Sequence, residues 1–169
     1  MKAIVGIIMG SDSDAPVMQE AVKVLQQFGV PFEIGVYSAH RSPHRTLEYV
    51  KTARDRGLKI IIAGAGSAAH LAGVSAAETT LPVIGVPIDS SPLSGFDALL
   101  ATVQMPPGVP VATMGVGKSG ATNAGFLALE ILALNDEKLA RHLAEHRSKL
   151  EETVAEKSRK VAAEFEARS

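Results

Sequence analysis

Strand-like runs alternate with helical stripes along this chain, and that alternation limits the folds open to it more than any other feature. Residues 3–9 form a continuous apolar run with no polar alternation, the pattern of a strand covered on both faces. Residues 32–37, 59–63 and 83–86 are the next three β-rich runs, and Pro31 and Pro82 stand just before the second and fourth. At a strand's entry the missing N–H of proline is tolerated. Between the first two runs, residues 15–28 place Val17, Met18, Ala21, Val22, Leu25 and Phe28 on one helical stripe closed by Gly29. Residues 43–56 give a second helix ended by Gly57, residues 68–79 a third and residues 93–103 a fourth. A fifth run at 109–113 precedes a helix over about 119–134. Such alternation predicts a parallel sheet with right-handed crossovers and helices on both faces. The expected fold is α/β, a three-layer flavodoxin-like doubly wound sheet in an order such as 2-1-3-4-5.

The last segment differs in kind. In residues 136–169 the apolar positions are Leu139, Leu143, Leu150, Val154, Val161 and Phe165, a stripe that returns every 11 residues. It is too narrow to hold so long a helix against its own domain. We therefore expect residues 1–134 to form the α/β domain. Residues 135–169 are expected to be an extra C-terminal helix packing on a neighbouring subunit.

With 169 residues there is enough chain for one domain with a substantial core. A formal net charge of -1 argues against nucleic acid as a partner, because phosphate neutralisation needs a basic surface. There is no Cys, which removes disulfides, thiolate catalysis and sulfur-held metals. No apolar stretch reaches the roughly 18 residues of a membrane helix, and Lys2 leads straight into the first strand-like run. The chain reads as a soluble cytoplasmic protein with no membrane partner.

In open α/β sheets ligands bind beyond the carboxyl ends of the strands, and the unusual polar clusters of this chain fall there. Gly10-Ser11-Asp12-Ser13-Asp14 follows the first run. Ser11 and Ser13 offer hydroxyls, and backbone N–H groups near a helix start favour an anion. Asp14 would repel phosphate but could accept hydrogen bonds from two vicinal ribose hydroxyls; the simpler account is helix capping by Ser13 or Asp14. Ser38-Ala39-His40-Arg41-Ser42-Pro43 follows the second run. Arg41 supplies a planar, permanent cation suited to phosphate. His40 supplies an imidazole, the side chain type best suited to moving protons near neutral pH. Ser42 and Pro43 are also explained as the start of a helix, but that leaves His40 and Arg41 unaccounted for. The two loops together outline a pocket for a small, phosphorylated, polyhydroxylated ligand.

After the third run, Ala63-Gly64-Ala65-Gly66-Ser67-Ala68-Ala69-His70-Leu71 brings small residues that let a planar ligand approach the backbone. His70 is either a second site imidazole or a helix-packing residue. The stretch 104–110, with Pro106, Pro107 and Pro110, reads as a stiff pocket wall or lid. Gly115-Val116-Gly117-Lys118-Ser119-Gly120 imitates a phosphate-binding loop, but Ala112 stands where the Walker spacing needs glycine. Its glycines are therefore expected to serve close packing.

Taken in order, GSDSD, SAHRSP, AGAGSAAHLAG, LPVIGVP, VQMPPGVPV and GATNAGFLALEIL closely resemble the N5-carboxyaminoimidazole ribonucleotide mutase family, PurE, from about residue 3 to residue 134. The resemblance implies a flavodoxin-like isomerase of purine biosynthesis that uses no cofactor, metal or nucleoside triphosphate and assembles as a homo-octamer. Carried over by position, it implies His40 as the catalytic acid–base. It implies substrate binding by Ser11, Ser13, Asp14, Ser38, Ala39 and Arg41. Gly64, Gly66, Ser67, His70 and Leu71 would line the heterocycle and carboxylate site. A branch of the family carboxylates aminoimidazole ribonucleotide directly with carbon dioxide, and the AGAGSAAH loop fits the mutase branch better. Three rival readings are weaker. An FMN carrier is disfavoured by aromatics at 4% with no Trp. A receiver domain needs an acceptor Asp where Ala63-Gly64 stands, and a phosphosugar isomerase would share the His, Arg and hydroxyl chemistry.

Overall fold

The structure, a computed structural model, describes residues 2–166. Its sheet has five parallel strands: β1 (Val5–Met9), β2 (Phe32–Val36), β3 (Ile60–Gly66), β4 (Val83–Ile88) and β5 (Ala112–Thr113). The strand order is β2-β1-β3-β4-β5, as the pattern predicts. Seven helices follow the strands in turn: α1 (Ala15–Gln27), α2 (Pro43–Lys51), α3 (Ala53–Arg56), α4 (Leu71–Glu78), α5 (Phe96–Val103), α6 (Gly117–Ala133) and α7 (Glu137–Glu166).

The central strands are buried on both faces, and Ile7, Ile8, Ile60, Ile61, Ile62 and Ile84 are wholly enclosed. Each contributes about 1.5–3 kcal/mol by leaving water. On one face Tyr49 and Val50 of α2, Leu71 and Ala72 of α4 and Ala98 of α5 join Ile8, Ile61, Ala63 and Val83 in one apolar cluster. On the other face α1 meets α6, with Phe28 and Phe126 edge to face at 6.0 Å.

Several boundaries differ from the sequence expectation, among them that of the helix expected over 93–103, which starts at Phe96. The helix expected over 43–56 is broken at Thr52, whose ψ of -5° lies outside the helical value, and the second piece ends at Gly57 with φ of 99°. β3 runs on through Gly64 to Gly66, so those residues are strand rather than loop. α4 starts at Leu71 instead of residue 68, because Ser67 has a left-handed φ of 50°. β5 shrinks to two residues, since Pro110 brings no N–H to a ladder.

The chain falls into two compact units, residues 1–129 and 130–169. In the second, Asp136 caps α7 by accepting the Leu139 N–H at 3.0 Å, and Arg147 pairs with Glu130 at 2.6 Å. Leu150, Val154 and Val161 lie exposed along α7. Among the described residues no helix is long and apolar enough to cross a membrane.

Candidate active site

The carboxyl ends of β1, β2, β3 and β4 open on a cavity of about 430 Å³. The loop after β1 forms one wall. Ser11 begins a 3-10 turn over Asp12–Asp14, and its Oγ accepts the Ser13 N–H while the Asp14 Oδ2 accepts the Ser11 N–H at 3.0 Å. This reciprocal arrangement is a capping box, so the capping residues are Ser11 and Asp14 rather than Ser13. The Ser13 hydroxyl donates to Ser11 Oγ at 2.9 Å. Asp14 is only 4% exposed. Burial raises its carboxyl above the usual 3.8, against the pull of the Ser11 and Gly10 backbone and the Arg41 guanidinium.

The second wall is the turn after β2. Ser38 organises it: its Oγ accepts the Arg41 N–H at 3.0 Å, and its carbonyl accepts from Ser42 N–H and from the Thr46 hydroxyl. Ser42 stands at the start of α2 with Pro43 in the first turn. Its hydroxyl does not cap the helix; it accepts the Ser38 N–H at 3.1 Å. With the Ser42 hydroxyl also donating to the Ser38 carbonyl at 3.2 Å, five hydrogen bonds to Ser38 hold a tight loop with Ala39 and His40 at its crest. Arg41 reaches across to the first wall, where its Nη2 donates to the Gly10 carbonyl at 3.0 Å. That bond places a guanidinium beside the serines of the first loop, with donors still available to an anion.

The third wall comes from β3 and the turn beyond it, where Ala65, Gly66, Ala68 and Leu71 line the cavity. His70 stands just before α4, and its Nδ1 lies 2.8 Å from His40 Nε2. Of the residues singled out from sequence, Ser11, Ser13, Asp14, Ser38, Ala39, His40, Arg41, Gly66 and Leu71 line this cavity. Gly64 lies within β3, where a Cβ would run into Met18 of α1. Ser67 is exposed in the turn, where its strained φ sets the direction of the chain toward His70. Gly10, Ala65, Ala68 and Ser90 line the cavity without having been singled out. Ser90 follows β4 in the motif Ile88-Asp89-Ser90-Ser91, and a polar cluster at a strand's carboxyl end was the signal that could have found it. Among the described residues no three His, Asp or Glu side chains stand together as a metal site.

A guanidinium, two hydroxyls, a buried carboxylate and a pair of imidazoles thus meet at the carboxyl edge of a doubly wound, flavodoxin-like α/β sheet. Residues 4–153 match the family AIRC, AIR carboxylase, and the chain belongs to that family. It is 58% identical over 158 residues to the N5-carboxyaminoimidazole ribonucleotide mutase of Bacillus subtilis (strain 168), covering 94% of this chain and 98% of that protein. The protein of the same description from Pyrococcus horikoshii is 56% identical over 155 residues, 89% of this chain and 86% of the relative. A crystal structure of Treponema denticola PurE superposes with a TM-score of 0.81 at 27% identity, over 90% of this chain and 94% of that one.

Proposed function

We propose that this chain is a mutase that converts N5-carboxyaminoimidazole ribonucleotide to 4-carboxy-5-aminoimidazole ribonucleotide in purine biosynthesis. The observation that carries the reading is the meeting of His40, Arg41 and Asp14 on one cavity in a chain 58% identical to the Bacillus subtilis mutase. Arg41 and the serines of the first loop hold the 5′-phosphate, and Asp14 accepts from the ribose hydroxyls. Protonated His40 delivers a proton to N5 as the C–N bond breaks, leaving aminoimidazole ribonucleotide and carbon dioxide. C4 then attacks the carbon dioxide, and neutral His40 takes the C4 proton, so the enzyme ends as it began. The small apolar residues Ala39, Ala65, Ala68 and Leu71 suit a cavity that retains carbon dioxide.

Assembly and location belong to the same proposal. We assign residues 135–169 to a contact with a neighbouring subunit of a homo-octamer, supported by the exposed apolar stripe of α7, and place the enzyme in the cytoplasm. The family's description as AIR carboxylase favours one alternative, direct carboxylation of aminoimidazole ribonucleotide. Following conversion of the N5-carboxy compound spectroscopically, with and without bicarbonate, separates the two. The mutase needs no added bicarbonate, and an absolute requirement for it would reverse the assignment. His40→Asn should still bind the nucleotide, by calorimetry, while isomerisation falls by about 10²-fold or more; near-normal turnover would refute the role of His40.

A further inference from the structure

The bond between His40 and His70 carries more information than either residue alone. Two ring nitrogens 2.8 Å apart must hold one proton between them, since two lone pairs or two N–H groups would repel at that distance. Each neutral imidazole carries one N–H. The pair can therefore be neutral or carry a single positive charge, and a second charge would set N–H against N–H. When the pair is charged on His40, the Nε2–H of His40 points at His70 Nδ1. Among the described residues no hydrogen bond engages His40 Nδ1. The two rings stand edge to face, with an interplanar angle of 76°, and His40 lines the cavity.

The backbone is strained to bring His70 there. Ser67 adopts φ of 50°, and the Ala69 and His70 N–H groups each bond back two residues, to Ser67 and Ala68, at 2.8 Å. A non-glycine residue held in the left-handed region beside a cavity is strain that the surrounding structure must enforce. The charged groups that share the cavity with His40 are Asp14 on the loop after β1 and the adjacent Arg41. Asp89, beyond β4, packs against Gly95 and Gly117.

We propose that His70 is a positioning residue for the mutase reaction: by accepting the Nε2–H of His40 it fixes that ring's tautomer and orientation. His40 Nδ1 is then the atom that exchanges the proton with substrate. In the acid state His70 accepts a charge-assisted bond from the Nε2–H of His40. After the proton passes to N5, His40 keeps its Nε2–H and presents a bare Nδ1 to the C4 proton. One proton leaves the pair to N5 and one returns from C4, so the pair ends the cycle with no net gain or loss. The inference rests on the mutase reading, and its test includes a readout that needs no substrate.

The test compares the wild-type protein with His70→Asn and His70→Leu. The Asn Oδ1 can take the place of Nδ1 as acceptor, whereas Leu cannot. In ¹⁵N-edited spectra of the substrate-free protein, neutral His40 should be the Nε2–H tautomer in wild type and His70→Asn, and a mixture in His70→Leu. In kinetics His70→Leu should lose about tenfold in kcat with KM within about twofold, the worth of one charge-assisted hydrogen bond. An unchanged tautomer and kcat in His70→Leu would overturn the proposal, as would equal damage in the Asn and Leu variants. A wild-type protein that fails to isomerise the N5-carboxy compound would overturn the mutase reading instead, while the spectra would still decide whether the hydrogen bond exists.

Discussion

Gly66 sets how closely the ends of β3 and β4 approach at the cavity, and Gly66→Ala tests that geometry. In the parallel register Gly66 pairs with Ile88. A Cβ on Gly66 would fall on the Ser90 hydroxyl, 2.9 Å from Ser90 Cβ and 3.0 Å from the Ile88 carbonyl oxygen. The hydroxyl can rotate away, at about 0.5–1.5 kcal/mol for a poor rotamer. The Cβ and the carbonyl cannot, so the strand ends must part by a few tenths of an ångström. Overpacking of this kind costs about 1–3 kcal/mol, and about 2 kcal/mol is expected here. Replacing Ser90 by Gly as well removes the hydroxyl and the Cβ and leaves only the carbonyl contact. The double variant should then regain about 1 kcal/mol relative to the sum of the single changes. Urea unfolding of the four proteins of this cycle measures the coupling, with m compared across them to confirm a common transition. Gly66 and Ser90 both line the cavity, so turnover in Gly66→Ala should fall further than its stability. Wild-type stability in Gly66→Ala, or strict additivity in the double variant, would refute the account.

Two further outcomes follow from the structure. The Asp14 carboxyl lies above its ordinary 3.8 in the folded chain, chiefly through burial, so the folded state binds more protons than the unfolded one just above that pH. Stability from this residue is therefore lost as pH rises, and Asp14→Asn should gain on wild type toward pH 7 and converge with it below about pH 4, read from urea midpoints against pH; a gap that widens on acidification would reverse the sign. In the first turn of α6, a Cβ on Gly120 would collide with the Gly115 carbonyl and lie 2.6 Å from its carbon, whereas nothing lies within 4 Å of one on Gly115 in the loop before the helix. Gly120→Ala should lose about 3 kcal/mol or more and Gly115→Ala about 0.5 or less, by the same unfolding assay; equal losses would refute the view that Gly120, and not Gly115, serves close packing.

What was legible in the sequence is what short-range pattern encodes. Runs such as residues 59–63 are apolar throughout because both faces of a central parallel strand are covered, and Ile60, Ile61 and Ile62 are fully buried as that requires. Polar clusters after β1 and β2 were legible because chemistry in such sheets collects at carboxyl ends. The breaks were less visible. Nothing in the order of residues 67–70 signals the left-handed backbone at Ser67, which tertiary packing imposes. Ser38 reads as a ligand-facing hydroxyl, yet its oxygen is engaged by the Arg41 N–H. It lines the cavity and at the same time shapes the turn, a local competition between side chain and backbone that a motif does not reveal.

The pairing of His40 with His70 illustrates the remaining distance between sequence and site. The two are 30 residues apart and belong to different motifs, and neither motif names the other. Their meeting follows from the strand order: β2 and β3 both pair with β1, on its two sides. The loops that leave β2 and β3 therefore face each other across the end of β1, where the winding of the sheet reverses. Once the order 2-1-3 is inferred, the convergence of those loops is a consequence of topology. The choice of which nitrogen meets which is not, because it depends on a few degrees at Ser67 and on the bonds around Ser38. The fold thus delivers two imidazoles to one crevice, and local strain and hydrogen bonding decide that they touch.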